Sequence, residues 1–167
     1  VVRSPSGQAA AWPVVETVQR DGVCHEVTAP APDLDPELAA RLTDVALRIA
    51  GGLDVTGVLA VEVFEVPGEG GPDVVVNELA MRPHNSGHWS IDGAQTSQFE
   101  NHLRAVLDLP LGSTQARAPW TVMVNVLGPQ EIEGRHEDLF RSYLHVMAHD
   151  PGVKVHLYGK EQRPGRK

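Results

Sequence analysis

Two carboxylates, an amide and a guanidinium stand within one short stretch of this chain. Glu62 lies in the apolar run GVLAVEVF, Asn77-Glu78 closes the run VVVNELA, and Arg82 follows shortly after. A glycine-rich reversal, PGEGGP, separates the two runs. Glu62 and Glu78 are equidistant from Gly70, so an antiparallel hairpin centred there sets one carboxylate opposite the other. The same register pairs Ala60 with Ala80, Phe64 with Val76 and Val66 with Val74, a set suited to one buried face. Like charges facing across a ladder, with Cβ atoms about 5 Å apart, are unfavourable unless something offsets them. A Mg²⁺ ion does so, because it takes one or two carboxylates and keeps positions for water and phosphate. Two other readings stay open. One Glu faces solvent, or the register slips by one residue and sends the two side chains to opposite faces.

The loop after Glu78, LAMRPHNSGH, adds His84, Asn85, Ser86 and His88. Polar groups on a loop at a strand end are where sites commonly form. A zinc pair of His84 and His88 needs that spacing on a helix, and Pro83 and Gly87 argue against one. Arg82 suits a planar anion such as a carboxylate, bicarbonate or phosphate, which it can hold bidentately. The competing reading is a bridge from Arg82 to an acidic neighbour. The last residues, KEQRPGRK, form a basic cluster in a chain of net charge −8, read as an anion site or as a solvated tail.

These residues need rigid elements behind them. Short β-like runs occupy the first thirty residues, with turns at Ser4-Pro5-Ser6-Gly7 and Arg20-Asp21-Gly22. Asp35 is a good N-cap, Pro36 suits the first helical position, and Glu37 complements the helix dipole. Leu38, Leu42, Val45, Ala46 and Ile49 then share one face until Gly51-Gly52 ends the helix. A second helix opens with the capping box Ser97-Gln98-Phe99-Glu100 and carries an apolar stripe of Phe99, Leu103, Val106 and Leu107. After a linker at LGSTQARAP, Trp120, Val122, Val124 and Val126 alternate as a strand. Residues 137–148 read as a helix with Leu139, Phe140, Tyr143, Leu144 and Met147 inward. Val153, Val155 and Leu157 alternate as a final strand.

The composition limits what this set can be. An apolar content of 41% can close a core, and no apolar run is long enough to span a bilayer. The lone Cys24 has no partner for an internal disulfide, which fits a cytoplasmic setting. The acidic balance speaks against nucleic acid. The fold expected is α+β, with one piece over residues 1–118 and a smaller one over 119–167. The chain opens without a methionine inside a strand-like run and stops at the basic cluster, so a portion of a longer protein is expected.

The run NELAMRPHNSGHWSIDGAQTSQFENHLRAVLDLPLG, together with KEQRPGRK, closely resembles the 5-(carboxyamino)imidazole ribonucleotide synthases, ATP-grasp enzymes of purine biosynthesis. The resemblance implies the C-terminal lobe of an ATP-grasp domain, an antiparallel sheet covered by helices, then a small α/β C-terminal domain. It implies ATP- and bicarbonate-dependent carboxylation of aminoimidazole ribonucleotide through carboxyphosphate, with ATP and Mg²⁺ bound. Glu62 and Glu78 are then the metal ligands, Asn77 lies against the nucleotide, and Arg82 orients bicarbonate or carboxyphosphate. His84, Asn85, Ser86 and His88 line the ribonucleotide pocket, and Arg163, Arg166 and Lys167 grip its phosphate. Two positions depart from the family pattern. Met81 replaces a common proline, and Gln19 stands where a histidine often lies near the nucleotide, so Gln19 is kept as a nucleotide contact. A homodimer is compatible with the resemblance. The rivals are another ATP-grasp carboxylase or ligase, which shares the paired carboxylates, and a non-catalytic anion-binding module.

Overall fold

The computed structural model describes residues 1–68, 71–127 and 137–158, and Arg163, Arg166 and Lys167 lie outside them. In chain order the elements are β1 (Val2–Arg3), β2 (Ala9–Ala10), β3 (Glu16–Arg20), β4 (Val23–Ala29), α1 (Pro36–Gly52), β5 (Gly57–Val58), β6 (Ala60–Gly68) and β7 (Gly71–Ala80). A single 3-10 turn, Asn85–Gly87, precedes α2 (Ser90–Gly93), α3 (Gln98–Val106), β8 (Thr121–Val124) and α4 (Glu137–His149). The chain divides into two units, Val1–Val124 and Asn125–Lys167.

Every strand pair in the first unit is antiparallel, and helices pack against them, as the α+β expectation requires. The strands form a sheet of order β2-β1-β5, a sheet of order β3-β4-β8 and the ribbon β6-β7. Asp21 and Gly22 both take positive φ, 50° and 72°, the conformation a two-residue hairpin turn needs between β3 and β4. Three apolar clusters hold the unit together. One joins Cys24, Val27 and Ala29 of β4 to Trp89 and Ala94; the others centre on Val2, Val58 and Ala105, and on Ala50, Val55 and Leu59.

α1 starts as its sequence dictates. The Asp35 carboxylate accepts from the N–H groups of Glu37 and Leu38, both at 2.9 Å. The helix runs through Gly51 and Gly52 and ends at Leu53, one turn-residue later than the glycines suggest. At α3 the Ser97 hydroxyl accepts from Glu100 N–H at 3.1 Å, the forward half of the capping box.

Two expectations are corrected. In the ribbon, Ala60 faces Ala80 and Glu62 faces Glu78, but a bulge follows, so Phe64 faces Val75 and Val66 faces Asp73. The Phe64–Val76 and Val66–Val74 pairs therefore do not form, and Phe64 stays 57% exposed. The apolar stripe of α3 also faces outward: Leu103 is 61% exposed, while Gln98, Asn101 and Ala105 are buried. Ala105 is small enough to sit on Val2 and Val58, and that close approach decides which face turns inward. The alternation around Val122 and Val124 does form a strand, Thr121–Val124, which joins β4 with Met123 opposite Val27 and Thr121 opposite Ala29; Met123 packs on the core and Val122 and Val124 face out.

In the second unit, Leu144 and Met147 of α4 are exposed and Tyr143 is half-buried. Val153, Val155 and Leu157 alternate in sequence but belong to no described strand, since alternation without a ladder partner does not make one.

Candidate active site

The ribbon and the loop after it meet the inner face of α1 and the β3–β4 hairpin around one cleft of about 990 Å³. Glu62, Glu78, Asn77 and Arg82 line it, as do Gln19, His84, Asn85 and Ser86. Leu38, Leu42, Val45 and Ala46 of α1 supply an apolar wall. His88 is not among the lining residues.

The bulge builds the carboxylate end. Glu62 opposes Glu78, yet the next pair is Val63–Val76, which leaves Asn77 as the extra residue on β7. In a regular strand, Asn77 and Glu78 would point to opposite faces. A bulge re-aims one side chain, and here the Asn77 amide nitrogen donates to Glu62 Oε2 at 3.2 Å. The amide thus joins the two carboxylates on one side of the ribbon. Glu65 of β6, beyond the bulge, pairs with Val74 and also lines the cleft.

His84 closes the other side of Glu62. Its Nε2 lies 3.5 Å from Glu62 Oε1, with the two side chains 11% and 24% exposed. The His84 ring also caps the 3-10 turn, since Nδ1 accepts from Ser86 N–H at 3.4 Å and lies 2.9 Å from Ser86 Oγ. An accepting Nδ1 puts the proton of the neutral ring on Nε2, directed at the carboxylate. Arg82 is exposed beside this group, and its guanidinium donates to the Pro83 carbonyl at 3.3 Å. Gln19 is exposed on β3, opposite Cys24, at the irregularity between Val18 and Gln19.

Two facing carboxylates with an amide on one of them suit a hard divalent cation that fills its remaining positions with water and phosphate oxygens. No group of three or more His, Cys, Asp or Glu side chains is arranged to hold a metal among the described residues. Sequence reasoning missed two contributors. The bulge at Asn77 leaves no trace in a run of three valines, and the His84–Glu62 contact spans the ribbon and the loop.

The family model described as the ATP-grasp domain matches residues 1–99, and one described as the phosphoribosylaminoimidazole carboxylase C-terminal domain matches residues 121–167. An N5-carboxyaminoimidazole ribonucleotide synthase of Mycobacterium leprae is 60% identical over 168 residues, covering all of this chain and 38% of the relative. A crystal structure of N5-carboxyaminoimidazole ribonucleotide synthetase from Thermus thermophilus superposes with a TM-score of 0.82 at 44% identity, covering 99% of this chain and 42% of that one. An N5-carboxyaminoimidazole synthase from Aspergillus clavatus, in complex with ADP and 5-aminoimidazole ribonucleotide, gives 0.79 at 36% identity over 93% of this chain and 40% of that one. The chain thus spans about two fifths of the length of these relatives. Every residue lining the cleft falls within the matched residues 1–99, and the chain belongs to the ATP-grasp domain family.

Proposed function

We propose that this chain provides the carboxylate lobe of an ATP-dependent ligase that carboxylates the exocyclic amine of 5-aminoimidazole ribonucleotide with bicarbonate, a step of purine biosynthesis. The observation that carries this reading is the bulged ribbon end, where Glu62, Glu78 and Asn77 share one face next to the His84–Ser86 turn. It is supported by the named relatives, one of which binds ADP and 5-aminoimidazole ribonucleotide. The complete protein is read as a cytoplasmic homodimer, with residues 1–118 as the lobe and 119–167 as the start of a terminal domain. No described helix is long and apolar enough to cross a membrane.

In this reading Glu62 and Glu78 hold Mg²⁺, which when bound supplies positive charge to the nucleotide phosphates. Asn77 holds Glu62 in place by its hydrogen bond and offers the nucleotide its amide. Arg82 orients bicarbonate so that one oxygen bonds to the γ-phosphorus as the bond to ADP breaks, giving carboxyphosphate. The amine nitrogen then bonds to the carboxyl carbon as phosphate leaves, with loss of a proton from nitrogen. His84, Asn85 and Ser86 line the ribonucleotide side, where positioning rather than a nucleophile lowers the barrier. Arg163, Arg166 and Lys167 take the ribonucleotide phosphate, and Gln19 is a further nucleotide contact.

The test is a hybrid enzyme in which this chain replaces the matching part of a full-length relative. Release of ADP that requires both bicarbonate and aminoimidazole ribonucleotide is expected, with a fall of at least about a hundredfold for Glu78→Ala. ADP release driven by glycinamide ribonucleotide or biotin, or an unaffected Glu78→Ala variant, would overturn the reading. Sedimentation of the hybrid as a monomer would remove the dimer.

A further inference from the structure

Gln98 begins α3, and its side chain is 2% exposed. Its carboxamide does not face its own helix. Oε1 accepts from His84 N–H at 2.9 Å, and Nε2 donates to the His84 carbonyl at 2.7 Å. The two bonds fix the amide orientation, because exchanging oxygen and nitrogen would set like against like. One side chain thus satisfies both main-chain groups of a single loop residue, as a paired strand would.

His88 completes the knot. Its Nδ1 lies 2.8 Å from the same His84 carbonyl, so that nitrogen carries a proton. Gln98 Nε2 is 3.2 Å from His88 Nδ1, and the amide and imidazole N–H groups converge on one carbonyl oxygen. The Phe99 ring stands edge-on to His88 with centroids 5.3 Å apart. Ser90, itself buried, accepts from Gln98 N–H at 2.9 Å and donates to the Gly87 carbonyl. Gly87 makes room for all of this. A Cβ there would come within 2.7 Å of Gln98 Cδ and 3.2 Å of its Nε2.

We infer that Gln98 is a positioning residue for the proposed reaction: its carboxamide clamps the His84–His88 loop so that the His84 ring faces Glu62 and Asn85 and Ser86 face the cleft. The inference rests on the proposed function for its catalytic consequence, whereas the clamp itself stands on geometry. His88, outside the cleft lining, belongs to the clamp, and Gln98 itself also borders the cleft.

The test uses the hybrid enzyme. Gln98→Ala is expected to raise KM for aminoimidazole ribonucleotide about tenfold, the effect of losing roughly one well-made buried hydrogen bond. KM for ATP stays within about threefold, and amide exchange across residues 84–90 rises. Gln98→Glu supplies a second readout. As a carboxylate it repels the His84 carbonyl, but once protonated it donates and accepts as glutamine does. Burial at a position 2% exposed and the His84 carbonyl raise its pKa, against the His84 and His88 N–H groups that face the same carboxyl and favour its charged form. Its KM defect, taken relative to the parent at each pH, should therefore shrink from pH 8 to pH 6, whereas the Gln98→Ala defect should not. Gly87→Ala acts on the same amide, so Gly87→Ala/Gln98→Ala should cost no more than the worse single change. Unchanged KM and exchange in Gln98→Ala, independent effects in the double variant, or an equal rise in both KM values with a pH-insensitive Gln98→Glu would each overturn the proposal. Should the parent hybrid lack ribonucleotide-dependent ADP release, the function falls, and exchange across residues 84–90 still decides the clamp.

Discussion

Asn77 shows how much one residue can change a site without changing the elements around it. Its insertion into β7 leaves Glu62 opposite Glu78 on one side and Val63 opposite Val76 on the other, while its amide reaches Glu62. Because Asn77 is exposed, Asn77→Ala should alter stability by no more than about 0.5 kcal/mol. Its bond is to a carboxylate, and losing one such charge-assisted hydrogen bond corresponds to roughly tenfold. In the hybrid enzyme kcat/KM for ATP is expected to fall by about that factor with little change in melting temperature. A large loss of stability with unchanged kinetics would contradict this. The facing carboxylates were legible from their distances to the glycine turn. The bulge was not, since Val74, Val75 and Val76 are apolar on both faces and give no alternation against which to detect an extra residue.

At the scale of elements, α3 shows where periodicity misleads. Its most apolar stripe is exposed, and its buried face is Gln98, Asn101 and Ala105, of which the Gln98 and Asn101 amides substitute for backbone partners. Asn101, fully buried, donates to the Gly112 carbonyl at 3.1 Å and accepts from Gly112 N–H at 2.8 Å. Asn101→Leu removes both and leaves Gly112 unsatisfied, which should cost about 2–4 kcal/mol. Leu103→Ala, on the outer face, should cost under about 0.5 kcal/mol. Urea unfolding followed by tryptophan fluorescence separates the two, since Trp12 donates to the Thr96 carbonyl beside the start of this helix. Beyond α3, Asp108 takes a left-handed φ of 52° and ties the helix end to the Ser4–Gly7 turn. The Ser6 hydroxyl, then the Ser6 N–H, then the Ser4 hydroxyl hold its carboxyl below the usual range. A depressed folded pKa means the tie is present above the ordinary carboxylate value of about 3.9 and is lost as pH falls through the lowered one. A carbon-13 titration of Asp108 should give a midpoint below that value, and Ser6→Ala should move it upward. Caps and turns at these elements were readable because their chemistry is local. The inward face of α3 was not, because it depends on amide partners fourteen and eleven residues away along the chain.

The whole molecule sets the limit on what the site can do by itself. The cleft lies wholly within residues 1–98, and its lining carries the carboxylates Glu16, Asp33, Glu62, Glu65 and Glu78, side-chain amides and polar loop groups. Among the described lining residues Arg82 is the one permanent cation. A nucleoside triphosphate brings several negative charges, and phosphoryl transfer depends on cations arranged around them. Facing Glu62 and Glu78, such a ligand needs a bound metal and further positive groups that the lining does not contain. Composition pointed the same way, with a net charge of −8 and its basic excess gathered at the chain end. Family membership was readable from the His84–Trp89 run, whereas the organisation of the second unit was not, because its apolar alternation lacked a described ladder. The expected outcome is that the purified 167-residue chain releases no ADP from Mg²⁺-ATP, with or without aminoimidazole ribonucleotide and bicarbonate. The hybrid, which adds the remainder of a relative's length, should release ADP only when both are present. Ribonucleotide-dependent ADP release by the 167 residues alone would show that Arg82 and the metal pair suffice, and the assignment of this cleft as one side of a larger phosphate clamp would fail.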